Sequence, residues 1–187
     1  MKVKTYRLPL FVAISAVFLI GMSSCSNNSD KEITTEKPNI IYILADDLGY
    51  GDLSFLGQSK FKTPNIDKLA ANGMVFTQHY SGSTVCAPSR SALMTGMHTG
   101  HTQVRGNRGL NGGQFPLKEG TQTLASVLKK AGYTTGAFGK WGLGYPGSAG
   151  EPLNQGFDVF FGFNSQTIAH NYYPRELWDN DKIISLE

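Results

Sequence analysis

Ile40-Ile41-Tyr42-Ile43-Leu44-Ala45, followed by Asp46-Asp47, is the stretch on which the fold turns. The run is continuous, β-branched and aromatic rather than alternating. That is the pattern of a strand covered on both faces, as in a parallel sheet between helices. It stops at two carboxylates, and Leu48-Gly49-Tyr50-Gly51-Asp52 has turn chemistry. Further on, Thr63-Pro64 opens a short helix through Ile66, Leu69 and Ala70 that ends at Asn72-Gly73. Residues 74–80 read as the next strand, 81–85 as a polar loop, and 88–95 as a helix closed by Gly96. Residues 97–120, rich in Gly, His, Asn and Arg, read as irregular. Leu124, Val127, Leu128 and Ala131 fall at helical spacing, with lysines in the last turn and Gly132 as the stop. Residues 133–138 read as a strand and 139–150 as a Gly-rich loop, while the chain beyond Phe157 has no decisive pattern. Strands and helices alternate at spacings suited to crossover units, which predicts an α/β sheet covered by helices.

Working outward toward the N-terminus, Pro38-Asn39 is preceded by a polar stretch and a targeting segment. Lys2, Lys4 and Arg7 precede an apolar run over residues 8–22 that is too short to be a comfortable transmembrane helix. Gly21-Met22-Ser23-Ser24-Cys25 then resembles the lipobox of bacterial lipoproteins, with Met22 where Leu is usual. This resemblance implies a signal peptide over 1–24, lipidation of Cys25, and a polar tether over 25–37. Residues 38–187 would carry the chemistry. The chain would be exported and lipid-anchored at the bacterial cell envelope, at the outer membrane or in the periplasm, with the membrane as a partner. The simpler alternative is a plain signal peptide cut near Ser24.

The chain has 187 residues, one ordinary domain's worth, with 40% hydrophobic and 17% charged residues, so a packed core is expected and general disorder is not. A net charge of +3, with the basic residues scattered, excludes the charge pattern of a nucleic-acid binder. There are two cysteines; if Cys25 is lipidated or removed, Cys86 is left as an unpaired, candidate reactive thiol.

Two constellations can carry chemistry. Asp46-Asp47 stands at the end of the expected strand, where ligands of open α/β sheets gather. Adjacent carboxylates there suit an oxygen-ligated cation such as Ca²⁺ or Mg²⁺, although an isolated Asp-Asp pair is more often a solvated turn. Cys86-Ala87-Pro88-Ser89-Arg90 is more pointed. It places a nucleophile-type residue, a helix N-terminus that favours anions and a guanidinium within one turn.

Cys86-Ala87-Pro88-Ser89-Arg90, continued by Leu93-Met94-Thr95-Gly96, resembles the signature of the sulfatase family. Pro38-Asn39 through Leu48-Gly49 is similar to that family's opening strand and metal pair, and Thr63-Pro64-Asn65-Ile66-Asp67-Lys68-Leu69-Ala70 to its next helix. Gly139-Lys140-Trp141 resembles its second active-site signature. The matches occur in the right order and cover most of the chain after the tether. They imply an alkaline-phosphatase-like α/β/α sandwich with a mostly parallel central sheet, incomplete in this chain. They also imply a sulfuric ester hydrolase of arylsulfatase type, with sulfated small molecules or glycans as substrates. In that family the Cys is oxidised to formylglycine by a formylglycine-generating or anaerobic maturation enzyme. One hydroxyl of the aldehyde hydrate attacks sulfur and the other later expels sulfate. Carried over, Asp46, Asp47 and the residue made from Cys86 would ligate Ca²⁺, with Mg²⁺ as the alternative. Arg90 would stabilise the hydrate, and Lys140 would contact sulfate.

The sequence departs from the family pattern in two ways. The family often reads Gly-Lys-Trp-His-Leu-Gly, whereas this chain has Gly139-Lys140-Trp141-Gly142-Leu143-Gly144. His170 is the candidate to replace the missing imidazole at the substrate; His98 and His101 are weaker candidates. Arg105 and Arg108 are either substrate-reading or solvated. Sulfatases are also typically more than twice this length, so the chain is expected to be a fragment that is inactive or folds badly by itself. Two other functions fit the same residues. One is a phosphodiester or phosphonate monoester hydrolase of the same superfamily. The other is a non-catalytic surface lipoprotein that binds sulfated glycans.

Overall fold

The structure is a computed structural model that describes residues 36–186. The expected signal peptide, most of the expected tether and Cys25 lie outside the described residues. The chain divides into two units, one ending at Leu44 and the other running from Ala45 to Glu187. In the first, Ile40 to Leu44 belong to no helix or sheet, and their side chains are exposed. The strand expected there, covered on both faces, is therefore not formed among the described residues. A β-branched run supplies propensity, but a strand exists only when a neighbour takes up its hydrogen bonds. Residues 74–80 depart from expectation for the same reason. They form turns and coil, with Met74, Phe76 and Tyr80 exposed.

In the second unit, helix α1 (Pro64–Asn72) begins where Thr63-Pro64 predicts, with Pro at its first position. Its start is held by Asp67, which accepts from Thr63 Oγ1 at 2.8 Å and from the backbone of Phe55 at 3.2 Å. Helix α2 (Cys86–Thr95) starts two residues earlier than Pro88 and ends at Gly96, whose φ of 66° lets it close the last turn. The stretch read as irregular contains a small hairpin, β1 (Gly109–Leu110) with β2 (Gly113–Gln114). Its tip is Asn111-Gly112, both at positive φ, the chemistry of a two-residue hairpin turn. Helix α3 (Leu124–Lys130) is capped by Thr123, whose side chain accepts from Ser126 N while Ser126 Oγ accepts from Thr123 N.

The sheet contains β3 (Gly136–Lys140), β4 (Val159–Phe163), β5 (Glu176–Asp179) and β6 (Lys182–Ser185), in that order. β3 and β4 pair in parallel, with Ala137 opposite Phe160; the other two pairings are antiparallel. Among the described residues the sheet is thus mixed, and only its β3–β4 half has the parallel character expected. The register of that half is pinned at its start. Thr135 donates to Asp158 from N (2.9 Å) and from Oγ1 (3.0 Å), and Asp158 N donates back to Thr135 O at 2.8 Å. Lys129 of α3 closes the group with an ion pair to Asp158 at 2.5 Å. These contacts, the Lys129 hydrogen bond first, pull the Asp158 carboxyl down to about 2. Helix α4 (Gln166–Ala169) follows β4, capped by the Ser165 hydroxyl.

The core gathers Ala87, Val104, Leu117, Trp141, Leu143 and Phe160. Trp141 packs edge-on against Phe157 with ring centres 5.7 Å apart, and its indole N–H donates to Gly150 O at 2.8 Å. The core therefore joins the first turn of α2 to the segment just after β3. This is what sets Cys86 and Lys140 side by side.

Candidate active site

Cys86 is the first residue of α2, half-buried and unpaired. The next two residues, Ala87 and Pro88, are buried and fix the start of the helix in the core. The N–H of Ala87 donates to Asn107 Oδ1 at 2.9 Å, so one of the helix's leading amides is already taken by a side chain from the loop before β1. Sequence reasoning missed Asn107. An Asn in a Gly-rich loop carries no local signal of a contact twenty positions away.

Lys140 ends β3, with its side chain 8% exposed. Its ammonium donates to Cys86 Sγ at 3.4 Å and to Asp46 Oδ2 at 2.6 Å. Arg90 lies one turn along α2 from Cys86. It donates through one nitrogen to Asp46 Oδ1 at 3.0 Å and through another to the carbonyl oxygen of Lys140. Burial raises the Asp46 carboxyl, but the hydrogen bonds from Lys140 and Arg90, reinforced by their charges, outweigh it and hold the group below its ordinary value. Asp46, Cys86, Arg90 and Lys140 thus form one contiguous group, built from two cations, one carboxylate and one thiol.

The other candidates stand apart from this group. Asp47 is exposed, sits at φ 56° in the left-handed region, and makes no hydrogen bond or ion pair among the described residues. His170 is exposed just past the end of α4, where its backbone N–H donates to Gln166 O. His98 and His101 face each other in the loop after α2, with ring centres 6.4 Å apart; His98 Nδ1 accepts from Gly100 N. Arg105 donates to Thr102 O at 3.2 Å, and Arg108 lies over the Phe115 ring at 5.4 Å, so both are engaged locally.

A divalent cation is implied by the resemblance, and the donor set tests it. Ca²⁺ takes roughly six to eight oxygen ligands. Here both Asp46 oxygens already accept from cationic side chains. Among the described residues, no three His, Cys, Asp or Glu side chains gather where they could hold a metal. The residues present do not by themselves fit the ion. The group can, however, bind a tetrahedral oxyanion. Lys140 and Arg90 converge on one carboxylate beside a half-buried sulfur, and an entering anion can share or displace that carboxylate.

The chain is 46% identical over 136 residues to human arylsulfatase D, a match covering 67% of this chain and 23% of the relative. It is 39% identical over 176 residues to the N-acetylgalactosamine-6-O-sulfatase of Bacteroides thetaiotaomicron, covering 92% of this chain and 32% of the relative. It therefore spans about a quarter to a third of the curated relatives it matches. Among solved structures, Ps i-CgsB superposes with a TM-score of 0.69 at 33% identity, covering 80% of this chain and 38% of that one. A Bacteroides thetaiotaomicron protein of glycosaminoglycan metabolism superposes with the same score at 37% identity, covering 82% and 33% respectively. These neighbours carry the alkaline-phosphatase-like fold, of which the mixed sheet here is an incomplete part. With the sequence model of the family matching residues 38–185, the chain belongs to the sulfatases.

Proposed function

We propose that this chain carries the nucleophile end of a sulfuric ester hydrolase acting on sulfated carbohydrate. The observation that carries the reading is Lys140, whose ammonium reaches both Cys86 Sγ and Asp46. A sulfate ester has negative charge spread over its oxygens, so cations at the reacting centre stabilise both the bound ester and the charge that develops on transfer. Lys140 and Arg90 bind the sulfate oxygens, and the backbone of α2 holds the nucleophile beside them. Oxidation of Cys86 to formylglycine would supply a hydroxyl nucleophile. A free, half-buried thiol at the first turn of a helix is compatible with that modification.

Carbohydrate as the substrate class draws support from the relatives. One is named for N-acetylgalactosamine 6-sulfate chemistry, and the Ps i-CgsB protein has been solved in complex with k-i-k-neocarrahexaose. Export and lipidation at Cys25 complete the reading and rest on the sequence of the first 25 residues alone. Radiolabelled palmitate should enter the wild-type chain and not Cys25→Ala.

The test of function uses the full chain expressed with a maturation enzyme. Mass spectrometry of the peptide containing residue 86 should find the aldehyde. Calorimetry should detect N-acetylgalactosamine 6-sulfate but not the unsulfated sugar. Equal binding of both sugars, or a preference for the 6-phosphate, would remove sulfate from the reading. The second outcome would favour phosphate-ester chemistry on the same residues.

A further inference from the structure

Gly142 follows Lys140 by two positions, and backbone bonds tie the residues just after β3 to the end of β4 and the residue beyond it. Trp141 N donates to Phe163 O at 2.9 Å and Gly142 N to Asn164 O at 3.3 Å. Trp141 turns into the core, and Gly142 lies just beyond the end of β3. The space beside its Cα is already filled. A Cβ on Gly142 would lie 2.6 Å from Gln166 Nε2, 2.8 Å from Cγ and 3.0 Å from Cδ. Gly142 is also at φ +76°, which a side chain would strain. The Gln166 carboxamide therefore occupies the volume that a residue-142 side chain would need.

That carboxamide is only half used. Gln166 is 2% exposed, and its Nε2 donates to Gly142 O at 3.4 Å, while Oε1 has no partner. Two more buried carboxamide oxygens nearby are also unpartnered, Oδ1 of Asn164 and Oε1 of Gln114. Both residues hold the same backbone segment: Asn164 O accepts from Gly142 N, and Gln114 N donates to Gly144 O at 2.8 Å. Buried acceptors without donors are uncommon because each forfeits its hydration. Three of them gather around residues 142–144, open to donors from water or from a bound ligand.

We propose that Gln166 is a specificity-determining residue. Its carboxamide replaces the side chain absent at Gly142, and its Oε1, with Asn164 Oδ1 and Gln114 Oε1, accepts hydrogen bonds from hydroxyl or amide N–H groups of the sugar that bears the sulfate. The inference rests on the sulfatase reading above and deepens it. A sulfate group offers acceptors only, so carbonyl oxygens cannot serve it; that work falls to Lys140 and Arg90. Neutral acceptors instead suit the uncharged, donor-rich ring of a carbohydrate.

Calorimetry on the full chain separates the two roles with two probes, N-acetylgalactosamine 6-sulfate and inorganic sulfate. Gln166→Met keeps the bulk and removes the acceptor. Gly142→Ala keeps the acceptor and pushes it aside, which provides a second variant if the first fails to fold. Each should weaken the sugar sulfate about tenfold while leaving inorganic sulfate within about twofold. Unchanged affinity for both probes would overturn the proposal and leave the sulfatase reading intact; the three oxygens would then merely hold ordered water. A parallel loss for both probes would show a structural role only and would also overturn it. If the wild-type chain binds neither probe, the functional reading fails, and this inference with it.

Discussion

The ammonium of Lys140 lies 2.6 Å from Asp46 Oδ2, although 94 positions separate the two residues. Arg90 approaches the other oxygen of the same carboxylate at 3.0 Å. One acid thus holds two bases in place and, in doing so, occupies the charges that a sulfate would use. Asp46→Asn should therefore shift two measurements in opposite directions. Urea denaturation should show a loss of about 1 kcal/mol, modest because the Asp46 side chain is 45% exposed. Inorganic sulfate, titrated by calorimetry, should bind severalfold more tightly because its competitor has lost its charge. A fall in both would show that Asp46 orients the cations rather than occupying them.

Asp158 gives the fold a pH dependence of defined sign. Its carboxyl is lowered from 3.8 to about 2 by Lys129 and by the two donors of Thr135. The folded state therefore binds that proton less readily than the unfolded state. The resulting stabilisation is complete above about pH 5 and is lost as pH falls through 4 toward 2. Asp158→Asn should flatten the acid limb of a plot of denaturation midpoint against pH and leave the neutral region comparatively level.

Gly162 of β4 faces Gly139 of β3, and a Cβ at 162 would overlap the Gly139 carbonyl. Gly162→Ala should cost about 1–3 kcal/mol by forcing the two strands apart. The midpoint in urea measures this. A second report would come from Lys140, one residue beyond Gly139, through weakened sulfate binding.

Trp141→Phe keeps the aromatic contact with Phe157 and removes the donor to Gly150 O. The buried carbonyl left behind should cost about 1–3 kcal/mol. Near-ultraviolet circular dichroism, sensitive to the packing around the remaining rings, should show whether the core stays ordered.

The sequence showed those parts of the molecule whose causes are local. The Pro64 start of α1 and the Gly96 stop of α2 are each set by residues within one turn, and both stand as expected. The group formed by Asp46, Cys86, Arg90 and Lys140 was legible for a different reason, because its motifs resemble a family that uses them together. What escaped depends on partners far along the chain. Ile40 to Leu44 has strand composition but no strand beside it among the described residues. The antiparallel hairpin of β5 and β6 is local and escaped for a different reason, because the stretch beyond Phe157 has no decisive pattern; it turns at Asn180 in the left-handed region. Gln166 could have been noticed only by asking what fills the space at Gly142.

The parallel pairing of β3 with β4 also has a kinetic consequence. The two strands cannot meet until residues 141–158 have been drawn into a closed loop, and that entropy is lost before any ladder contact forms. The β5–β6 hairpin needs only a tight turn and should zip within about 1–10 μs. Stopped-flow refolding should therefore show a rate set by loop closure, one that slows when flexible residues are inserted between Tyr145 and Gly150 and stays unchanged when they are inserted beside Asn180.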